Sequence, residues 1–155
     1  MWEHLVTIAV GGLENIGFAN SGNIIVLSSQ GRGIVDSSIG QKIFRDNRNW
    51  WEDFIEDEKA IAGFGGEEDA VIELSGLHTG DFLQKTTADG WSLFAEGAFH
   101  GAIPINKFYL KHVEYSEPIF IAEDGPCEVR AYGFANNEET MVIATSCELI
   151  VWIRK

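Results

Sequence analysis

The chain has little proline, three residues in 155, and only two cysteines. Its basic residues are scarce too: 11 Lys and Arg stand against 24 Asp and Glu, a formal charge of −13. Each shortage removes a class of function. Charge of this sign and size repels phosphate backbones, which argues against a nucleic-acid partner. It also disfavours docking on anionic lipid. Cys127 and Cys147 form no CxxC and have no companion histidine at metal-ligand spacing, so no structural zinc site is expected. The four histidines, His4, His78, His100 and His112, are scattered in the same way, and neither a metal nor a cofactor is called for. No apolar stretch approaches the roughly 20 residues of a membrane-spanning helix. The start, MWEHLVTIAVGG, has no basic leader and reads as a first strand rather than a signal peptide. A cytoplasmic location follows as the expectation, with both thiols reduced, buried and inert.

What the chain does have is aromatics and glycine: ten Phe, five Trp, three Tyr and 17 Gly. That mixture favours many short strands joined by tight turns. A length of 155 residues suits one domain over 1–155, with a core that needs no disulfide or metal. Apolar runs of four to six residues, punctuated by Gly, Asn, Ser and Asp, mark strands near 5–10, 16–19, 24–29, 33–36 and 42–45, then 70–74, 82–87, 91–96, 107–115, 118–122, 129–134 and 140–154. Residues 97–106 read as a looser stretch. One segment differs. In DNRNWWEDFIEDEKAIA, residues 46–62, Trp50, Trp51, Phe54 and Ile55 fall at offsets of three and four, which predicts a short helix capped by Asp46, Asn47 or Asn49 and ended by Gly63, Gly65 and Gly66. The expected class is therefore mainly β, with antiparallel sheets and one short α-helix.

The two ends of the chain resemble each other. Gly17-Phe18-Ala19-Asn20 recurs as Gly133-Phe134-Ala135-Asn136. After one residue of slip, Ile24–Ser29 aligns with Met141–Ser146, and Ile34-Val35 with Val151-Trp152. Each unit resembles one blade of a WD40-like β-propeller, in which a Gly-Phe strand leads through a polar turn into an apolar strand and then a third. A whole propeller needs four or more such blades, and no third copy is present. The resemblance implies two blade-like meanders packed as a sandwich or an open barrel. The segments Ser28-Ser29-Gln30-Gly31-Arg32-Gly33-Ile34-Val35-Asp36 and Ala144-Thr145-Ser146-Cys147-Glu148-Leu149-Ile150-Val151-Trp152 are also similar to those of a group of small bacterial proteins with no assigned activity, so no catalytic residues come with that likeness.

Candidate sites are few. Ser28–Gly33 looks like an anion-cradling loop, but it lacks the Lys-Ser/Thr ending of a P-loop and no helix follows. A tight turn with Arg32 exposed at its tip, available for binding, is the simpler expectation. Glu52, Asp53, Glu56, Asp57, Glu58, Glu67, Glu68 and Asp69 form the densest charge cluster, either a solvated face, a surface for a basic partner or a weak divalent-cation site. Their spacing does not fit a calcium loop. Neighbours on a helix cannot both face one core, so one of Trp50 and Trp51 is expected to stay partly exposed as a binding residue. No Gly-x-Ser-x-Gly elbow is present, and no catalytic residue is selected. Three readings follow: a non-enzymatic protein-binding module of a bacterial cytoplasm, an immunity protein neutralising a basic toxin, or a small hydrolase or ligand-binding enzyme with a pocket between the two repeat units. Oligomeric state is not readable from the sequence.

Overall fold

Short apolar runs closed by Gly, Asn and Asp fold here as a succession of hairpins. The computed structural model describes residues 1–155. The strands are β1 (Trp2–Ala9), β2 (Leu13–Phe18), β3 (Ile24–Ser28), β4 (Gly31–Val35), β5 (Lys42–Asp46), β6 (Phe54–Ile55), β7 (Ala60–Ala62) and β8 (Val71–Gly76). They continue as β9 (Trp91–His100), β10 (Ile103–His112), β11 (Ile119–Glu123), β12 (Val129–Phe134), β13 (Thr140–Thr145) and β14 (Glu148–Arg154). All pairings are antiparallel, in three sheets ordered β1-β14-β13-β12, β11-β10-β9 and β5-β4-β3-β2-β8-β7-β6, and none closes into a barrel.

The similar pieces of sequence occupy equivalent ladder positions. Phe18 opposes Ile24 and Gly17 opposes Ile25, just as Phe134 opposes Met141 and Gly133 opposes Val142. Ile24 then opposes Val35, as Met141 opposes Trp152. Both first hairpins carry a register shift at the same place, Leu13/Asn15 and Val129/Ala131. The first unit takes β5 as its fourth strand. The second takes β1, from the opposite end of the chain.

The units stack front to back. Ile24, Val26 and Val35 of the first unit meet Val142, Ala144 and Val151 of the second in one buried layer. The residues equivalent to the former, Met141, Ile143 and Trp152, face the other way, onto Trp91, Leu93, Phe108 and Leu110 of β9–β10. Those equivalent to the latter, Ile25, Leu27 and Ile34, face Trp50, Ile61, Ile72 and Leu74. Each layer thus presents one apolar face forward and one back, and buries both.

The repeated glycine has a packing reason. A Cβ on Gly17 would lie 2.5 Å from the Glu73 carbonyl oxygen, and one on Gly133, where φ is +155°, 2.4 Å from that of Gln84. A second backbone crosses each unit at its Gly-Phe step, and only glycine leaves room.

Three expectations are corrected. The helix over 46–62 is a single 3-10 turn, Trp50–Asp53, followed by the β6–β7 hairpin. Glu52, Asp53, Glu56, Asp57 and Glu58 would repel one another along a helix, and Lys59 instead takes a left-handed backbone (φ +50°) that turns the chain back. Residues 97–106, read as loose, are the tip of the long β9–β10 hairpin. The strand over 82–87 is reduced to isolated bridges, Gln84 with Phe134 and Thr86 with Ser92.

The cysteines differ from expectation as well. Cys127 and Cys147 are joined in a disulfide, with Cys147 exposed and Cys127 half-buried. The bond staples the open end of the β12–β13 hairpin, just beyond the Val129–Thr145 pair. No helix is long and apolar enough to cross a membrane. Closing a loop of this size restricts the unfolded chain, so the Cys127→Ser/Cys147→Ser protein should lose about 2–3 kcal/mol of unfolding free energy in urea titrations. A loss below about 0.5 kcal/mol would contradict a structural role for the bond.

Candidate functional site

The 3-10 turn is built locally. The Asn49 side chain accepts from the Trp51 backbone N–H at 3.0 Å and fixes the start of the turn. The two tryptophans then part: Trp50 points inward and is 1% exposed, while Trp51 stays 44% exposed. Their rings stack at 4.5 Å with 19° between planes, and Phe54 meets both edge-on at 5.7 and 5.1 Å. His78 closes the cluster, T-shaped against Trp51 at 4.6 Å.

His78 has no sequence signal that would have marked it. It is carried by the loop after β8, and β2 pins that loop. Asn15, fully buried, donates to Thr79 Oγ1 at 3.0 Å and accepts from the His78 backbone N–H at 3.3 Å. Glu14 meets the His78 imidazole at Nε2. The exposed indole thus rests on a floor of rings, of which His78 is positioned by hydrogen bonds to Asn15 and Glu14.

Arg32 corrects its expectation. It lies within β4, not at a turn tip, and its side chain is only 6% exposed. The turn is Ser29–Gln30 alone. Arg32 makes a two-pronged pair with Asp46, Nε to Oδ1 at 3.0 Å and Nη2 to Oδ2 at 2.5 Å. Asp53 lies 3.8 Å away, and the Phe64 ring sits 4.1 Å beneath the guanidinium. The hydrogen bonds from Arg32 hold the Asp46 carboxyl below its ordinary range against the cost of burial, and the same bonds raise Arg32. Arg48, also unmarked in the sequence, reaches Asp53 at 3.2 Å and Glu52 at 3.6 Å.

The residues singled out from the sequence therefore fall into two groups. Trp50, Trp51, Glu52, Asp53 and Arg32 are connected through one turn and one ion network. Glu56 and Asp57 are exposed at the tip of the β6–β7 hairpin, with no side-chain hydrogen bond or ion pair. Glu67 leaves the acidic cluster: it is buried and accepts from Ser21 Oγ at 2.7 Å and Asn23 Nδ2 at 3.0 Å. Nowhere do three or more His, Cys, Asp or Glu side chains converge as a metal site would require.

A cleft does lie between the two repeat units. Phe18 of the first and Phe134 and Asn136 of the second wall a space of about 360 Å³, with Glu58, Lys59 and Glu73 at its edge. The Lys59 ammonium sits 4.7 Å over the Phe82 ring. Ser75, the hydroxyl in the cleft, accepts from the Phe82 N–H, and no histidine borders it.

No family model, curated protein or solved structure matches the chain.

Proposed function

We propose that this protein is a non-enzymatic binding module whose tryptophan-bearing turn and acidic hairpin receive a cationic segment of another protein. One observation carries the reading: Trp51 keeps 44% of its surface in solvent while stacked on a fully buried Trp50. An aromatic anchor that is already ordered loses little entropy on binding, and aromatic anchors dominate interface energies. Its indole face also attracts a Lys or Arg side chain. Exposed Glu52, Glu56, Asp57 and Glu58 supply the complementary field, within a chain of formal charge −13.

A basic toxin neutralised by this chain is the narrower form of the same reading, and it calls for the same surface. The hydrolase reading is less well supported, because the inter-repeat cleft lacks a nucleophile hydrogen-bonded to a base.

The test is capture of a partner from the native host on immobilised protein, followed by titration of the purified pair. Trp51→Ala is expected to weaken the complex at least tenfold. Glu56→Gln/Asp57→Asn is expected to slow association and flatten its salt dependence. A partner held equally by parent and Trp51→Ala, at low and moderate salt alike, would remove the proposal.

A further inference from the structure

The two units differ in chemistry where the third strand meets the fourth, at β4–β5 and β14–β1. In the second unit, the cross-strand pairs Leu149–Ile8 and Ile150–Thr7 are apolar or neutral. The equivalent pairs in the first unit are Arg32–Asp46 and Gly33–Arg45. Gly33 takes the place of Ile150, a residue 7% exposed that fills the layer against β9–β10.

Nothing in the backbone demands glycine there. Gly33 does not take a left-handed backbone. A Cβ at this position would meet only the Phe44 carbonyl oxygen, at 3.4 Å, an ordinary contact. The missing side chain leaves a cavity of about 80 Å³ whose walls include Ile8, Val10, Val26 and Val35. Lys42 and Arg45 border the same cavity.

Those two cations stand out in an acidic chain. Of its 11 Lys and Arg, seven have a carboxylate or hydrogen-bond partner: Arg32, Arg48, Lys59, Lys85, Arg130, Arg154 and Lys155. Lys42 and Arg45 are among the four that have none. A pocket with one aliphatic wall, with Ser28, Gln30 and Arg32 also lining it and two unpaired cations beside it, suits an amphipathic anion. A guanidinium and an ammonium take a carboxylate, and the walls take a hydrocarbon tail. The volume sets the tail length. An engineered cavity of about 150 Å³ accommodates benzene, so about half that space admits a chain of roughly three to five carbons.

We propose that this cavity binds a small aliphatic carboxylate, its tail beneath β4 where Gly33 has no side chain and its carboxylate at Arg45 and Lys42. The site meets the Trp50–Trp51 region at Arg32, Ile34 and Phe44, but it contains neither tryptophan and does not depend on the partner-binding reading.

The probe is sodium butyrate, titrated into the ¹⁵N-labelled full chain at pH 7 and constant ionic strength, and followed by amide shifts. Saturable shifts are expected at Val10, Val26, Gly33 and Val35. Butyramide, with the same tail and no charge, should bind at least tenfold more weakly, and acetate, with no tail, should also bind more weakly. Gly33→Ile, which restores the residue of the second unit, should abolish the response, and Arg45→Gln should weaken it at least fivefold. Linear shifts without saturation, equal binding of butyramide, or butyrate binding retained in folded Gly33→Ile would each overturn the proposal. Should Gly33→Ile not fold, Arg45→Gln decides: its side chain is exposed and unpartnered, so unchanged butyrate affinity in that variant is equally fatal.

Discussion

Trp50→Ala is expected to cost about 3–5 kcal/mol of stability, and Trp51→Ala, next to it, no more than about 1. Trp50 is 1% exposed and packs among Ile25, Leu27, Ile34, Ile61, Phe64, Ile72 and Leu74, so its removal leaves a large void between the first repeat unit and β7–β8. Trp51 gives up one stacked and two edge-on ring contacts, with Trp50, Phe54 and His78, but it lies at the surface with nearly half of its area already in water, and its removal leaves no closed void. For a chain of this length the larger loss lowers the melting midpoint by roughly 10–15 °C. Urea and thermal unfolding of the two variants measure the contrast. It also bears on function: a Trp51→Ala protein that folds normally isolates binding from stability, whereas a Trp50→Ala protein that fails to bind says nothing about an interface. Equal costs for the two substitutions would mean that the turn does not sort its rings as described.

Much of the sheet structure is legible in the residues, because hairpins announce themselves locally. The Gly-Phe-Ala-Asn repeat was visible for a stronger reason: Gly17 and Gly133 each lie under a crossing backbone, and no side chain fits at either place. What was not legible depends on contacts from far along the chain. Trp50, Trp51, Phe54 and Ile55 have the same spacing whether they form a helix or a turn that runs into a strand. The difference lies in Ile61 and Ile72, which pair β7 with β8 and leave β7 to take Phe54 and Ile55 as its other neighbour. Residues Gly97–His100 looked irregular, yet Ile103–Asn106 provides their partner strand. The disulfide was hidden because it depends on Val129 pairing with Thr145. Within the candidate site, the two tryptophans were readable as one buried and one exposed. Glu14, Asn15 and His78 were not, since an ordinary strand and an ordinary loop become a support only once β2 and β8 lie side by side.

Arg32 illustrates the same point with a large energetic consequence. Among Ser, Gln and Gly it looked like an exposed turn residue, but Asp46 arrives beside it when β5 pairs with β4. Asp46→Asn is expected to cost about 2–3 kcal/mol at pH 7, less than a fully buried pair because Asp46 is a third exposed, since it leaves a guanidinium that is 6% exposed with Asp53 at 3.8 Å as its nearest carboxylate and the Phe64 ring beneath it. Arg32→Met should cost far less, since it removes the buried charge rather than orphaning it. The pH dependence has a definite sign. Arg32 holds the folded-state Asp46 carboxyl below its unfolded value, so the stabilisation is fully present above about pH 4 and is lost as pH falls through the lower, folded value. Arg32 stays charged throughout and adds no slope in that window. Asp36, Glu68 and Asp89 are also held low, by Ser38, by the Gly66 N–H and by Arg154 respectively, so the whole protein weakens in acid whichever residue stands at 46. The informative quantity is therefore the difference between parent and Asp46→Asn in urea unfolding at pH 7 and again near pH 2.5. That difference should shrink on acidification, as the parent loses the carboxylate that the variant never had. A difference that stays constant between the two pH values would mean that the Arg32–Asp46 pair does not hold β4 to β5.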